Sequence, residues 1–316
     1  MIANRRCTET CPADTGLARW EFNTDFTSGS SAFSKWNTTS GTVDSTSLGA
    51  KFTISEQGDA PTIESDFYIF FGRVEVKMRA ANGTGIISTT VMESDDLDEI
   101  DWEQISTYDS SIETDYFGKG NTTSYDRATT VDVTTPEETF HTYTVDWTSS
   151  RIEWILDGEV VRTLEYADAL SGKNYPQTPM RIKIGIWAGG DPDNSEGTIE
   201  WAGGETDYTA GPFSMYVESV KVINYNPASA YKYTDKTGAY TSIKATNGTT
   251  STNLASSSSS VKAASASSSS SAKSSVSSSA SASASASATV SAAGSISPYS
   301  AFVTFIVAFI AAAFKL

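Results

Sequence analysis

Cysteine and histidine are nearly missing from this chain. Its 316 residues include two Cys and one His, which excludes the Cys/His clusters that hold structural zinc and any disulfide-dense scaffold. Basic residues are scarce too: 22 Lys and Arg stand against 38 Asp and Glu, a net charge of −16. A surface this acidic repels a phosphate backbone, so nucleic acid is excluded as a partner and neutral polymers fit better. The sequence also lacks a convincing amphipathic helix, a fixed-period repeat, a nucleotide-loop glycine pattern and a metal-ligand cluster. No metal or other cofactor is expected.

Long hydrophobic runs are absent except at the C-terminus. Residues 301–314 are apolar, short of the roughly 20 needed to span a bilayer. Small residues at Ala292, Ala293, Gly294 and Ser295 precede them, followed by a polar spacer to Ser300. This is the layout of a GPI-attachment signal, so residues 294–316 are expected to be a cleaved tail and the membrane to be met only through the anchor. Residues 255–293 are nearly all Ser, Ala and Val. With too little apolar bulk to offset the entropy of ordering, the stretch 234–293 is expected to be a disordered, O-glycosylated stalk.

A GPI signal implies secretion, yet residues 1–6 contain no apolar leader and are expected to be the remnant of an incomplete N-terminus. In an oxidising compartment Cys7 and Cys11 are expected to form a local disulfide. Asn37, Asn82, Asn121 and Asn247 stand in Asn-x-Ser/Thr sequons. One folded domain remains, residues 7–233, expected to be a monomer outside the cell.

Within it, apolar residues recur every two positions. Val74, Val76 and Met78 alternate with Arg73, Glu75, Lys77 and Arg79, predicting a strand with one buried and one wet face. Similar segments at 85–92, 143–147, 151–156, 181–187 and 215–225 are separated by turn signals such as Asn82-Gly83 and Asp157-Gly158. The fold class is therefore all-β, antiparallel sheets packed as a sandwich. Only residues 167–170 hint at a helical turn.

The most acidic stretch is Asp98-Glu99-Ile100-Asp101-Trp102-Glu103. On a strand Glu99, Asp101 and Glu103 share a face while Ile100 and Trp102 point into the core. Their Cα atoms span about 13 Å, a gap two Glu side chains close by leaning inward. A retaining glycosidase needs two carboxyls about 5 to 5.5 Å apart, and clustered acids keep one of them protonated near neutrality. A charged solvent face would show the same pattern. A calcium loop is a further reading, although the glycine and ligand order of an EF-hand is missing.

The run Glu99-Ile100-Asp101-Trp102-Glu103 resembles the E-x-D-x-E signature of glycoside hydrolase family 16. Its context is similar to fungal cell-wall transglycosylases of the Crh type, through residues 70–77, Tyr116-Phe117-Gly118-Lys119-Gly120-Asn121-Thr122-Thr123, residues 140–143, Trp187-Ala188-Gly189-Gly190-Asp191-Pro192 and residues 197–204. The resemblance implies a β-jelly-roll with a concave glycan-binding cleft and an enzyme that cuts chitin and transfers it to β-1,3- or β-1,6-glucan. It implies Glu99 as nucleophile, Asp101 as its electrostatic partner and Glu103 as general acid/base. Trp187 and Trp201 are candidate sugar platforms, with Tyr116, Phe117 and Lys119 as further substrate-binding candidates. Gln104-Ile105-Ser106 departs from the family's pattern, so acceptor choice is sought there. An endo-β-glucanase or chitinase-like hydrolase with the same triad, and a non-catalytic glycan-binding wall protein, are the competing readings.

Overall fold

Alternation governs how this chain folds. In the computed structural model, which describes residues 12–248, the strand Gly72–Arg79 buries every second side chain and leaves the intervening ones half exposed. Cys7, Cys11, the 255–293 stretch and the C-terminal tail lie outside the described residues.

The strands form two large antiparallel sheets. One has seven strands in the order Thr129–Asp132, Ser111–Phe117, Glu99–Ile105, Ile86–Ser94, Met180–Ala188, Thr62–Ser65 and Trp36–Ser40. The other has eight. Its central strands His141–Trp147, Gly72–Arg79 and Phe213–Asn224 lie side by side, and Glu21–Asp25 pairs with the last of them. This is the antiparallel sandwich expected from period-two patterning and the jelly-roll that the resemblance implies.

Large aromatics fill the space between the sheets. Trp102, Trp147 and Trp154 are completely buried, and their indole N–H groups find acceptors as buried polar groups must. Trp102 Nε1 donates to the Thr144 carbonyl at 3.3 Å and Trp154 Nε1 to the Asp101 carbonyl at 2.9 Å. Both bonds cross from one sheet to the other, fixing the Glu99–Ile105 strand against the core.

The fold extends beyond the boundary placed at Tyr233. Ile243–Thr246 pairs with Ala230–Tyr233, which pairs in turn with Asp14–Thr15. Residues 234–246 thus belong to the domain, because Tyr231 is buried in the core and its strand needs partners on both sides. Residues 167–170 form turns without a helix. The short helix lies instead at Glu196–Trp201, capped by the Ser195 side chain, which accepts from Thr198 N.

One buried side chain secures the start of the acidic strand. The Asp98 carboxylate accepts from the backbone N–H groups of Lys119 (2.8 Å), Gln177 (2.8 Å) and Thr178 (3.0 Å), and from the Thr178 hydroxyl (2.7 Å). Asp98 therefore ties three chain segments together rather than adding charge to the acidic face.

Candidate active site

Glu99–Ile105 is the third strand of the seven-stranded sheet, and all seven of its residues are buried. Ile100 and Trp102 enter the core between the sheets. Period two then turns Glu99, Asp101 and Glu103 to the sheet's outer face. Acids on an outer face are normally wet; these are 7%, 0% and 1% exposed. Walls must rise on both sides of the row, and the face is a cleft.

Strand register brings more charge into this cleft. Glu113, Asp115 and Phe117 lie opposite Glu103, Asp101 and Glu99 on one neighbour; Thr89, Val91 and Glu93 lie opposite the same three on the other. Lys183 pairs with Glu93, and Arg181 with Glu64 while stacking 4.5 Å from the Tyr68 ring. Beyond Glu103 the character changes. Ile87, Ile105, Trp187 and Ala202 form an apolar cluster on this face, with Trp201 packed against it. The cleft thus runs from a charged end beside Glu99 to an aromatic end beside Glu103.

Trp187 and Trp201 are stacked, their ring centroids 6.0 Å apart and planes 24° from parallel. Trp201 Nε1 donates to Glu113 Oε2 at 3.1 Å, which links the aromatic pair to the carboxyl facing Glu103. The helix bearing Trp201 is drawn close by glycines. A Cβ at Gly190 would come within 2.3 Å of the Gly204 carbonyl oxygen, so the two Gly-rich loops meet only because Gly190 carries no side chain.

Burial dominates the electrostatics. One oxygen of Glu99, one of Glu103 and both of Asp101 are buried with no N–H or O–H donor reaching them among the described residues. Asp101 lies beside Glu99. Burial first, then the neighbouring Glu99, Glu103 and Asp115, holds the Asp101 carboxyl well above the usual range. Burial, opposed by Lys183 and reinforced by Glu93, still pushes Glu99 up to about 8. Glu103 is held well above the carboxylate range by burial first, then by Glu113, Asp115 and Glu99. Asp115 rises to about 6, burial outweighing the Tyr116 N–H, Arg127 and Arg162. The site gathers three buried carboxyls that hold protons more tightly than ordinary acids, an affinity on which acid/base work on a glycosidic bond draws.

The remaining sequence candidates are dispersed. Phe117 faces the cleft beside Glu99, with Arg127 stacked 4.6 Å from its ring. Tyr116, one residue earlier, turns into the core opposite Ile100, so it does not line the cleft. Lys119 bonds Asp98 through its backbone, and its ammonium lies 3.9 Å from the same carboxylate; it belongs to that latch and not to the cleft. Gln104 points away from the acids and donates to the Tyr108 carbonyl at 3.1 Å, while the Ser106 hydroxyl holds the Ala81 carbonyl at 2.5 Å. Of this departing stretch only Ile105 reaches the cleft, under Trp187. His141 lies on the other sheet, bonded to Asp157 and the Thr134 carbonyl. Asn37, Asn82 and Asn247 are exposed and Asn121 is half-buried. Glu93, Glu113, Asp115, Arg181 and Lys183 escaped the sequence reading because register, not proximity along the chain, gathers them; the alternations Glu113-x-Asp115 and Arg181-x-Lys183 were their only signal.

Comparison with known proteins places this geometry. The description Glycosyl hydrolases family 16 matches residues 30–203. Crh-like protein 1 of Aspergillus fumigatus is 64% identical over 247 residues, 78% of this chain and 69% of the relative. Crh-like protein 5 of the same organism is 57% identical, over 75% of this chain and 60% of its own length. Alignment thus spans about two thirds of these relatives. A solved structure, Crh5 transglycosylase in complex with NAG, is 55% identical at a TM-score of 0.74, covering 77% of this chain and 99% of that one. With the acid-lined cleft inside the matched region, this chain belongs to glycosyl hydrolases family 16 and is an enzyme that works on glycosidic bonds.

Proposed function

We propose that the chain is a cell-wall transglycosylase. It cuts chitin with retention through a covalent glycosyl-enzyme intermediate and passes the released chain to β-1,3- or β-1,6-glucan. The buried row of Glu99, Asp101 and Glu103, with Asp101 set between the two glutamates and neither of its oxygens reached by a donor among the described residues, carries the reading. A surface that merely bound glycan would have no use for so unfavourable a carboxyl. Glu103, holding its proton, protonates the departing glycosidic oxygen. Glu99, as the carboxylate, attacks the anomeric carbon, with Asp101 beside it as its electrostatic partner. Glu103, now a carboxylate, takes the proton from the acceptor hydroxyl, whose oxygen displaces Glu99 and restores the starting state.

Transfer over hydrolysis demands that a sugar hold the acceptor side against water. Trp201, partly exposed, lies near Glu103, the group that serves the leaving and incoming oxygens, and fits that platform; Trp187, only 5% exposed, backs it as the stacked ring beneath. Incubation with soluble chitin and a labelled β-1,3-glucan oligosaccharide is expected to give labelled hybrid polymer. Shorter chitin fragments alone would establish a hydrolase, and binding without any product a lectin. The catalytic domain is proposed to act as a monomer at the wall and outer face of the plasma membrane, held there by the GPI anchor that replaces the cleaved tail 294–316, and entered past a Cys7–Cys11 bridge.

The facing carboxyl Glu113 tunes this acid. Its charge raises Glu103, so Glu113→Gln lowers the Glu103 pKa. A general acid works only while protonated, and the alkaline limb of kcat/KM is therefore expected to move to lower pH. An unshifted limb in a pH–rate profile would show that Glu113 does not set the protonation of Glu103.

A further inference from the structure

The loop between Gly72–Arg79 and Ile86–Ser94 carries Asn82-Gly83-Thr84 on the rim of a cavity of about 630 Å³. Arg79, Glu137, Glu138, Pro212 and Tyr216 line it, and none of them belongs to the acid cleft. The loop has one direction available to it. Gly83 has φ +106°, and a Cβ there would lie 2.4 Å from the Phe213 ring; the Gly83 carbonyl accepts from Ile86 N at 3.2 Å, and Ala81 N donates to Ser88 Oγ at 2.9 Å. Asn82 itself is exposed.

The cavity's polar groups are complementary in charge. The Arg79 guanidinium lies 4.6 Å from the Tyr216 ring and 5.6 Å from the Phe140 ring, and no acceptor among the described residues takes its N–H groups. Glu137 Oε1 is buried without a donor. Burial, then Asp109 and Glu138, pushes the Glu137 carboxyl up to about 7. A ligand completing this site must accept from a guanidinium, donate to a carboxyl and lay an apolar face on aromatic and proline walls. A pyranose bearing hydroxyl and acetamide groups does all three. The volume lies in the range of small-ligand pockets, and tethering at the rim supplies the ligand at high effective concentration.

We propose that Asn82 carries an N-linked glycan whose first N-acetylglucosamine units lie in this cavity, against Tyr216 and Pro212 and hydrogen-bonded to Arg79 and Glu137. The inference is independent of the reaction in the acid cleft and requires only passage through a compartment that attaches N-glycans.

The test uses the full chain secreted from a yeast host, with glycopeptide mass spectrometry reading Asn82. Endoglycosidase H cuts between the two core sugars, so a docked core is shielded in the folded protein. At Asn82 release is expected to be at least about tenfold slower in native than in denatured protein, equivalent to about 1.4 kcal/mol of docking. Glu137→Gln and Tyr216→Ala are each expected to speed native release towards the denatured rate; Glu137→Gln keeps the inference testable should Tyr216→Ala fail to fold. An unmodified Asn82, equal native and denatured rates, or protection unchanged by Glu137→Gln would each overturn the proposal.

Discussion

Glu99→Gln is expected to remove hydrolysis and transfer together, by at least about 10³-fold, because the amide cannot form the glycosyl-enzyme bond on which both depend. The fold is expected to survive with an unchanged or higher Tm. Glu99 is buried on an acid-crowded face beside Glu93, Asp101 and Asp115, and a neutral isostere relieves that repulsion. Product formation from chitin, read alongside thermal unfolding, separates the two effects. A variant active within tenfold of the parent would end the nucleophile assignment. Azide sharpens the reading: Glu99→Ala with azide is expected to yield a glycosyl azide of inverted configuration, Glu103→Ala with azide one of retained configuration. Reversed configurations would exchange the roles of the two glutamates.

The largest loss of stability is expected at Asp98, which touches no substrate. Asp98→Ala strands three backbone N–H groups inside the protein, while the Thr178 hydroxyl keeps Ser94 Oγ as a partner. Each orphaned donor costs about 1 to 3 kcal/mol. Partial relaxation and the relief of burying a carboxyl offset part of that, and burial does raise the Asp98 pKa in spite of its four donors. A net loss of about 3 to 5 kcal/mol is expected from urea unfolding. Asp98→Asn retains one acceptor oxygen but turns an NH₂ group towards donors, so it is expected to recover little. A loss below about 1 kcal/mol in Asp98→Ala would show that water replaces the carboxylate and that the latch is dispensable.

These two residues are neighbours in sequence, and their separation shows how much was legible there. Alternation alone placed Glu99 with Asp101 and Glu103, and Ile100 with Trp102, because a strand has a fixed period and Trp must leave water. Nothing local distinguished Asp98, three residues from two further aspartates; its role is created by Lys119, Gln177 and Thr178, which long stretches of chain bring to it. Tyr116 and Phe117 make the same point in miniature. Both are aromatic, yet the register that pairs Tyr116 with Ile100 and Phe117 with Glu99 sends one to the core and the other to the cleft.

The sequence by itself determined an all-β sandwich, the strand bearing the acids and the face they share. It did so through residue periodicity and composition, which are local. Only the tertiary structure decided that this outer face is buried, that Glu113 and Asp115 confront Glu103 and Asp101, and that the domain runs on to Thr246. Those facts depend on antiparallel register and on loops meeting across the sheet. Register is set jointly by every strand in the sandwich, so no single segment of the chain contains it.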